Sequence, residues 1–352
     1  MSLWEKNIRQ VEPYVPGEQP NQPDMVKLNT NENPYPPAPR VAELAASFPA
    51  DTLRLYPDPT CSTLVEALAK RYQVGADQVF VGVGSDDVLA TAFMTFFNGE
   101  EPIVFPDITY SFYDVWANLF RIPYRKLALD DTFHINPRDY DGPNGGVIFP
   151  NPNAPTGIQE KKEVLEDILQ HNQDVIVIID EAYIDFAEET SALQLLGKYE
   201  NLLVVQTFSK SRSMAGMRIG FAIGSPKLIK AMQDVKYSYN SYTMNAASLY
   251  MGAAAVEDEA YFQETVEKIR ETREEAKVRL AELGFTFPDS QTNFLFAAPS
   301  RIGAKELFEQ LRARNIYVRY FNQPRTCDYL RITIGTPEEM ERLYQAIAEI
   351  QR

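Results

Sequence analysis

Thr207-Phe208-Ser209-Lys210-Ser211-Arg212-Ser213-Met214-Ala215-Gly216-Met217-Arg218-Ile219-Gly220 decides how the rest of the chain is read. It follows Leu202-Leu203-Val204-Val205, an apolar run of the kind that forms a buried strand. A lysine just past a buried strand, among small hydroxyl side chains, is an unusual place for a charge. Alone, Lys210 reads as a solvated loop residue. Its company changes that reading: Ser209 sits beside it, and Arg218 follows between Gly216 and Gly220. A lysine amine is a nucleophile only when deprotonated, and burial or a neighbouring cation favours that form. An arginine fork binds two oxygens of a phosphate at once. The stretch therefore joins a candidate nucleophile to a candidate anion clamp.

Two upstream stretches fit the same picture. Asp174-Val175-Ile176-Val177-Ile178-Ile179 is nearly continuous in β-branched residues, as a strand covered on both faces should be. Asp180-Glu181-Ala182-Tyr183 lies at its carboxyl end, where open parallel sheets bind ligands. A carboxylate after four apolar residues is costly to bury unpaired. Asp180 is thus either a helix cap or the partner of a buried cation, and the downstream lysine favours the second. Further upstream, Gln78-Val79-Phe80-Val81-Gly82-Val83-Gly84 leads into Ser85-Asp86-Asp87 and an apolar helix. Strand, glycine turn and helix N-terminus leave backbone N–H groups free for an anion, although Ser85 or Asp86 as a simple cap reads equally well in isolation. The dinucleotide fingerprint is incomplete, since no third glycine closes it, and a dehydrogenase reading fails there.

Taken together and in this order, these motifs resemble the fold-type I pyridoxal-phosphate aminotransferases. The resemblance implies an α/β fold: a large, mostly parallel sheet with helices on both faces, and a smaller α/β domain. It implies pyridoxal 5'-phosphate as cofactor, carried by Lys210 as a Schiff base. Ser209, Arg218 and the backbone at Gly84, Ser85 and Asp86 would hold the phosphate. Asp180 would keep the pyridine nitrogen protonated, Tyr183 would donate to the phenolic oxygen, and Tyr110 would stack on the ring. Tyr113 reads as ordinary helix packing. The family's asparagine before Pro-Thr-Gly is here Ala154, within Asn151-Pro152-Asn153-Ala154-Pro155-Thr156-Gly157. Asn153, one residue earlier, is the remaining candidate for the amide donor. Tyr56, in Leu55-Tyr56-Pro57-Asp58-Pro59, matches a tyrosine that reaches the phosphate from the partner subunit, which implies a homodimer with shared sites.

Finer features resemble the histidinol-phosphate aminotransferases. Asn29-Thr30-Asn31-Glu32-Asn33-Pro34 is similar to their N-terminal arm, and Tyr14 to a substrate-contacting tyrosine. Asn33 and Tyr14 would face the substrate. Arg331, in Arg331-Ile332-Thr333-Ile334-Gly335, matches a carboxylate clamp, although a surface salt bridge is its plainer reading. Arg319 matches a second arginine that binds the substrate's phosphate. The partners implied are a small amino donor and a keto acid. An aromatic amino-acid aminotransferase would not depend on Arg319. A threonine-phosphate decarboxylase would also bind a phosphorylated substrate, and a non-catalytic regulator would keep the pocket without turnover.

Composition agrees. The 352 residues are 45% apolar, enough for a full core. A net charge of −15 excludes nucleic acid and anionic membrane as partners. No apolar run reaches a membrane span, and Met1-Ser2-Leu3-Trp4 opens no signal core, so a cytoplasmic protein is expected. Cys61, Cys327, His134 and His171 are too few and too scattered for a disulfide framework or a metal site. The expected organisation is an arm over 1–40, a large cofactor domain over 41–265 and a small domain over 266–352. Ser62 is expected to cap a helix, and residues 256–283 to form one long amphipathic helix with a solvated charged face. Tyr237 to Tyr242 read as a loop rimming the site.

Overall fold

The apolar runs become short strands. In a computed structural model, which describes residues 2–352, they are β1 (Val26–Lys27), β2 (Val79–Gly82), β3 (Ile103–Pro106), β4 (Tyr124–Leu127), β5 (Val147–Pro150), β6 (Val177–Asp180), β7 (Leu202–Thr207), β8 (Gly220–Gly224), β9 (Phe285–Thr286), β10 (Phe294–Pro299), β11 (Ile316–Tyr317), β12 (Arg319–Tyr320) and β13 (Leu330–Thr333). Strands β2 to β8 form one seven-stranded sheet in the spatial order β2-β8-β7-β6-β5-β3-β4. All its pairings are parallel except those of β8, which runs antiparallel to both β2 and β7.

Side chains alternate across this sheet, as the two-residue period requires. Ile148, Ile178, Leu203 and Val205 pack on one face with Phe93, Trp116 and Met232. Val147, Phe149, Val177, Ile179 and Val204 pack on the other with Leu165 and Ile168. Both faces are covered, which is why the strands read as continuous apolar runs. The edge strand β4 exposes Arg125 and Lys126, charges that discourage pairing with another chain.

A second, antiparallel sheet has the order β12-β13-β10-β9. The arm joins its neighbourhood: β1 pairs in parallel with β11, and Val26 and Leu28 enter the same core as Phe294, Leu307 and Leu343. No helix is long and apolar enough to cross a membrane among the described residues.

Three local expectations are corrected. Ser62 is the first residue of the helix Ser62–Tyr72, and Asp58 is what caps it, accepting from the Ser62 backbone N–H at 2.7 Å and from its hydroxyl at 2.6 Å. Residues 256 and 257 close a separate helix, Ala246–Glu257, while the expected long helix forms as Glu259–Glu282, with Asp258 at its N-cap accepting from the Tyr261 N–H. Its charged face is only partly solvated. Arg273 is 2% exposed and donates to the carbonyls of Phe186 at 2.9 Å and Thr292 at 3.1 Å, while Arg270 donates to those of Asp185 and Ala187. These arginines satisfy loop carbonyls just past Tyr183, a use that a helical wheel cannot display.

Candidate active site

The carboxyl ends of β6 and β7 and the helix after β2 meet around one cavity. Ser85, Asp86, Tyr110, Asp180, Tyr183, Ser209, Lys210 and Arg218 all line it, with Thr207 and Ala154. The register explains the meeting. Asp180 ends β6 opposite Val205 of β7, so the chain leaving β7 passes the carboxylate as it delivers Lys210.

Lys210 is half-buried, and its Nζ donates to the Thr30 carbonyl of the arm at 3.2 Å. It stands 5.7 Å from the centre of the Tyr183 ring. That leaves the amine facing the cavity with a single backbone partner among the described residues.

Asp180 is 4% exposed and accepts from the Tyr113 hydroxyl at 2.9 Å and the Ala182 N–H at 3.2 Å. Tyr113 does pack, fully buried among Phe93, Phe105 and Trp116. It also holds the carboxylate, a role hidden in the sequence except for the choice of tyrosine over phenylalanine on an apolar helix face. Burial pushes the Asp180 carboxyl up to about 6 from 3.8, against the pull of both donors. Between those values the folded chain holds a proton that the unfolded chain has released. This stability is full below the unfolded value and is lost as pH rises through the folded one. Cofactor-free Asp180→Asn protein should therefore lose less stability than the native chain from about pH 4 to about pH 7, by roughly 2–3 kcal/mol. Denaturant melts at the two pH values test this, and equal losses would refute it.

The anion end is built from glycine and arginine. Gly84 is the N-cap of the helix Ser85–Phe96, with φ +84°, so the first-turn N–H groups of Ser85 and Asp86 open on the cavity. A Cβ at Gly84 would run into the Arg218 guanidinium, and one at Gly220 into the backbone of Gly84 and Ser85. Arg218 donates to Asp86 Oδ2 at 3.0 Å, and Asp86 also accepts from the Tyr110 hydroxyl at 2.7 Å. The Ser209 hydroxyl sits 3.1 Å from Thr207 Oγ1 beside them. Guanidinium, hydroxyls and helix N-terminus converge as an anion cradle.

Arg319 and Arg331, register partners on β12 and β13, are not among the residues lining this cavity. Both guanidiniums lie near the Phe321 ring, at 5.6 and 5.5 Å from its centre. Arg331 donates to the Asn29 carbonyl at 3.1 Å, its Nε has no partner, and burial holds its pKa below the usual arginine range. Neither arginine has a carboxylate within ion-pair distance among the described residues. Two adjacent cations without a counter-ion are poised for anionic groups. Tyr14 stacks on Phe112 at 4.1 Å, next to Tyr110, which brings the arm to this side.

Three expected placements change. The Asn153 amide nitrogen is taken by the Ile108 carbonyl and the Thr156 hydroxyl, both at 3.0 Å, and Ala154 lines the cavity in its stead. Asn33 donates its amide to the Ser211 carbonyl at 3.0 Å and accepts from the Tyr35 N–H, so it braces the lysine loop and is not among the residues lining this cavity. Asn31, two residues earlier, is the arm residue that touches Tyr183, at 2.9 Å. The stretch Tyr237 to Tyr242 does not line this cavity, and Tyr237 to Tyr239 are helical. Tyr56, expected to act in the partner's site, is 82% exposed and packs on Tyr242 at 4.7 Å.

The aminotransferase class I and II family model matches residues 23–347. The chain belongs to the class I and II aminotransferases. The chain is 49% identical over 346 residues to the histidinol-phosphate aminotransferase of Lactococcus lactis subsp. cremoris (strain MG1363), covering 98% of this chain and 97% of that protein. A protein of the same name from Acinetobacter baumannii (strain SDF) is 49% identical over 352 residues, covering 99% and 97%. The crystal structure of histidinol-phosphate aminotransferase from Sinorhizobium meliloti in complex with pyridoxal-5'-phosphate shares the fold, with a TM-score of 0.85 at 23% identity over 92% of this chain and 90% of that one.

Pyridoxal phosphate is the cofactor of this aminotransferase family, and the residues present fit it. The close approach of Gly220 to Gly84 and of Gly84 to Arg218 sets the guanidinium beside the free N–H groups of Ser85 and Asp86, a donor set that suits a phosphate. Asp180 is a buried carboxylate with neutral donors only and suits a protonated ring nitrogen. Lys210 and Tyr183 line the same cavity.

Proposed function

We propose that this aminotransferase moves the amino group of L-histidinol phosphate to 2-oxoglutarate, giving imidazole acetol phosphate and glutamate, in histidine biosynthesis. It acts as a cytoplasmic homodimer with shared active sites. The observation that carries the substrate is the unpaired cation pair. Arg331 is set to take one anionic group, and Arg319 gives the site a second positive charge suited to a phosphate.

When bound, pyridoxal phosphate takes up the electrons left on the substrate carbon as its proton departs. The chain supplies the rest. Lys210 Nζ removes and returns that proton as general base and acid. Asp180, held by Tyr113, keeps a proton on the ring nitrogen. Arg218, Ser209 and the N–H groups of Ser85 and Asp86 anchor the phosphate, while Tyr183 donates to the phenolic oxygen. Tyr110 covers the ring, and Tyr14 closes the substrate side. Because donor and acceptor use one cavity in turn, ping-pong kinetics follow.

Support for the dimer comes from an apolar face that this chain leaves uncovered. Leu53, Leu55, Tyr56 and Tyr250 are more than half exposed beside a cavity of about 560 Å³ lined by Leu44, Phe48 and Leu249. Tyr56 stands on that face, where it can enter the site of a second copy.

A single half-reaction tests the substrate. Cofactor-loaded protein is mixed with histidinol phosphate, phenylalanine or threonine phosphate, without keto acid, and the visible band is followed. Histidinol phosphate alone is expected to bleach it rapidly. Arg319→Ala should raise the KM for that donor about 10- to 100-fold, the loss of one charge-assisted contact. Bleaching by phenylalanine instead, with no effect of Arg319→Ala, would move the substrate to the aromatic amino acids. Release of carbon dioxide from threonine phosphate would make it a decarboxylase.

A further inference from the structure

Asn31 lies in the arm, 1% exposed, with φ +57°. That left-handed conformation is tolerated by asparagine and aspartate better than by most side chains. Every polar group it carries is engaged. Its N–H donates to Thr333 Oγ1 at 3.1 Å, and its carbonyl accepts from Asn293 Nδ2 at 3.0 Å. Its Oδ1 lies 3.0 Å from Thr333 Oγ1, and its Nδ2 lies 2.9 Å from the Tyr183 hydroxyl.

The directions of these bonds follow from one another. A backbone N–H only donates, so Thr333 Oγ1 accepts from it. The single Thr333 hydroxyl proton goes to Asn31 Oδ1, which only accepts. The flipped amide would leave that proton, on a residue 2% exposed, without an acceptor, so the orientation with Oδ1 toward Thr333 and NH2 toward Tyr183 is the satisfied one. An NH2 only donates, so the Tyr183 oxygen accepts from it, and the phenolic proton must point elsewhere. Tyr183 lines the cavity, and the cavity is the side left open to that proton.

We infer that Asn31, locked by Thr333, is a positioning residue that turns the Tyr183 hydroxyl proton into the cavity, toward the phenolic oxygen of the bound cofactor. This rests on the pyridoxal-phosphate reading of the site. It assigns the arm a task in the chemistry: the polarity of one backbone N–H is relayed through two side chains to an O–H bond. Because Thr333 lies two residues past Arg331 on β13, the strand that holds the substrate's anion also sets this proton. The titratable groups facing Tyr183 are Lys210 from the loop after β7, Arg331 from β13 and Tyr113 from its helix, with Asp180 at the end of β6.

The test is a spectrophotometric pH titration of the visible band of protein loaded with pyridoxal phosphate, without substrate. A hydrogen bond donated to the phenolic oxygen stabilises its anion and lowers the midpoint of the titration. Tyr183→Phe is expected to raise the midpoint by about one pH unit or more. In Asn31→Asp, a side chain of the same shape accepts from Tyr183 and draws its proton back. The midpoint should rise at least half as far as in Tyr183→Phe. The new charge alone also raises it, by the same amount whether or not Tyr183 has a hydroxyl. Asn31→Asp is therefore repeated in the Tyr183→Phe background, where the relay is gone and the added rise should be much smaller. An unchanged midpoint in Asn31→Asp, or an equal rise in both backgrounds, overturns the inference. Thr333→Val keeps the amide, adds no charge and frees it to rotate. It should raise the midpoint in the same direction, and an unchanged midpoint there overturns the inference even if Asn31→Asp fails to fold. Native protein that develops no visible band with pyridoxal phosphate would instead refute the cofactor reading.

Discussion

Lys210→Ala protein is expected to fold, bind pyridoxal phosphate without a covalent link and turn over about 10⁴-fold more slowly than the native enzyme. The loss of fold should be slight. The side chain is half-buried, makes one hydrogen bond to a backbone carbonyl and belongs to none of the apolar clusters. The loss of chemistry should be near total, because on the proposed reading the same nitrogen anchors the cofactor and moves the substrate proton, and no other amine lines the cavity among the described residues. Steady-state kinetics beside a thermal melt measure both. Near-normal turnover with an intact melt would end the assignment of Lys210. The same variant also probes the proposed shared site. Mixed with Tyr56→Ala subunits, impaired at the partner's contribution, it should regain part of the activity, since one hybrid site would then have both residues.

Gly220→Ala should strongly impair cofactor binding. The methyl would meet the carbonyl carbon of Gly84 and the N–H of Ser85, which are backbone atoms with no rotamer by which to yield. Gly84 itself is pressed on its other side by the Arg218 guanidinium. β8 and the helix N-terminus must therefore separate, costing about 1–3 kcal/mol of stability as overpacking does. The separation also pulls the Ser85 and Asp86 N–H groups off the phosphate, and pyridoxal phosphate affinity should drop by about 10²-fold or more. Cofactor titration by fluorescence, with urea melts of the cofactor-free protein, separates the two effects. Native affinity in Gly220→Ala would mean that the cradle is not where the phosphate sits.

The parts of this site that are visible in the sequence are those whose partners lie nearby in the chain or whose surroundings make them conspicuous. Asp180 stands out because four apolar residues precede it, and Lys210 and Arg218 because a strand and two glycines frame them. The strands are visible because burial on both faces leaves uninterrupted apolar runs. What stays hidden depends on distant contacts. Tyr113 meets Asp180 across 67 residues, and Asn31 meets Tyr183 across 152. Nothing local marks either hydrogen bond. Arg273 looks like one more surface charge on a helix until the loop carbonyls it satisfies are seen across from it. Asn153 misleads for the opposite reason. Its neighbours in sequence suggest a reach into the cavity, but its amide is consumed by Ile108, 45 residues away.

The stitching of the arm has a consequence for how the molecule is made. Asn31 is anchored by Thr333, 302 residues later. A ribosome adding roughly 5–20 residues per second needs about 15–60 s to cover that interval. The seven-stranded sheet can form before it ends, because all its strands lie between residues 79 and 224. Lys210 can emerge as well, yet β1 has no β11 to pair with, and Asn31 has nothing to lock it. The nascent chain therefore holds its reactive amine for many seconds before the arm that governs the neighbouring tyrosine is in place. Catalytic competence arrives last, with the final strand, so a polypeptide whose synthesis stops early is left without it.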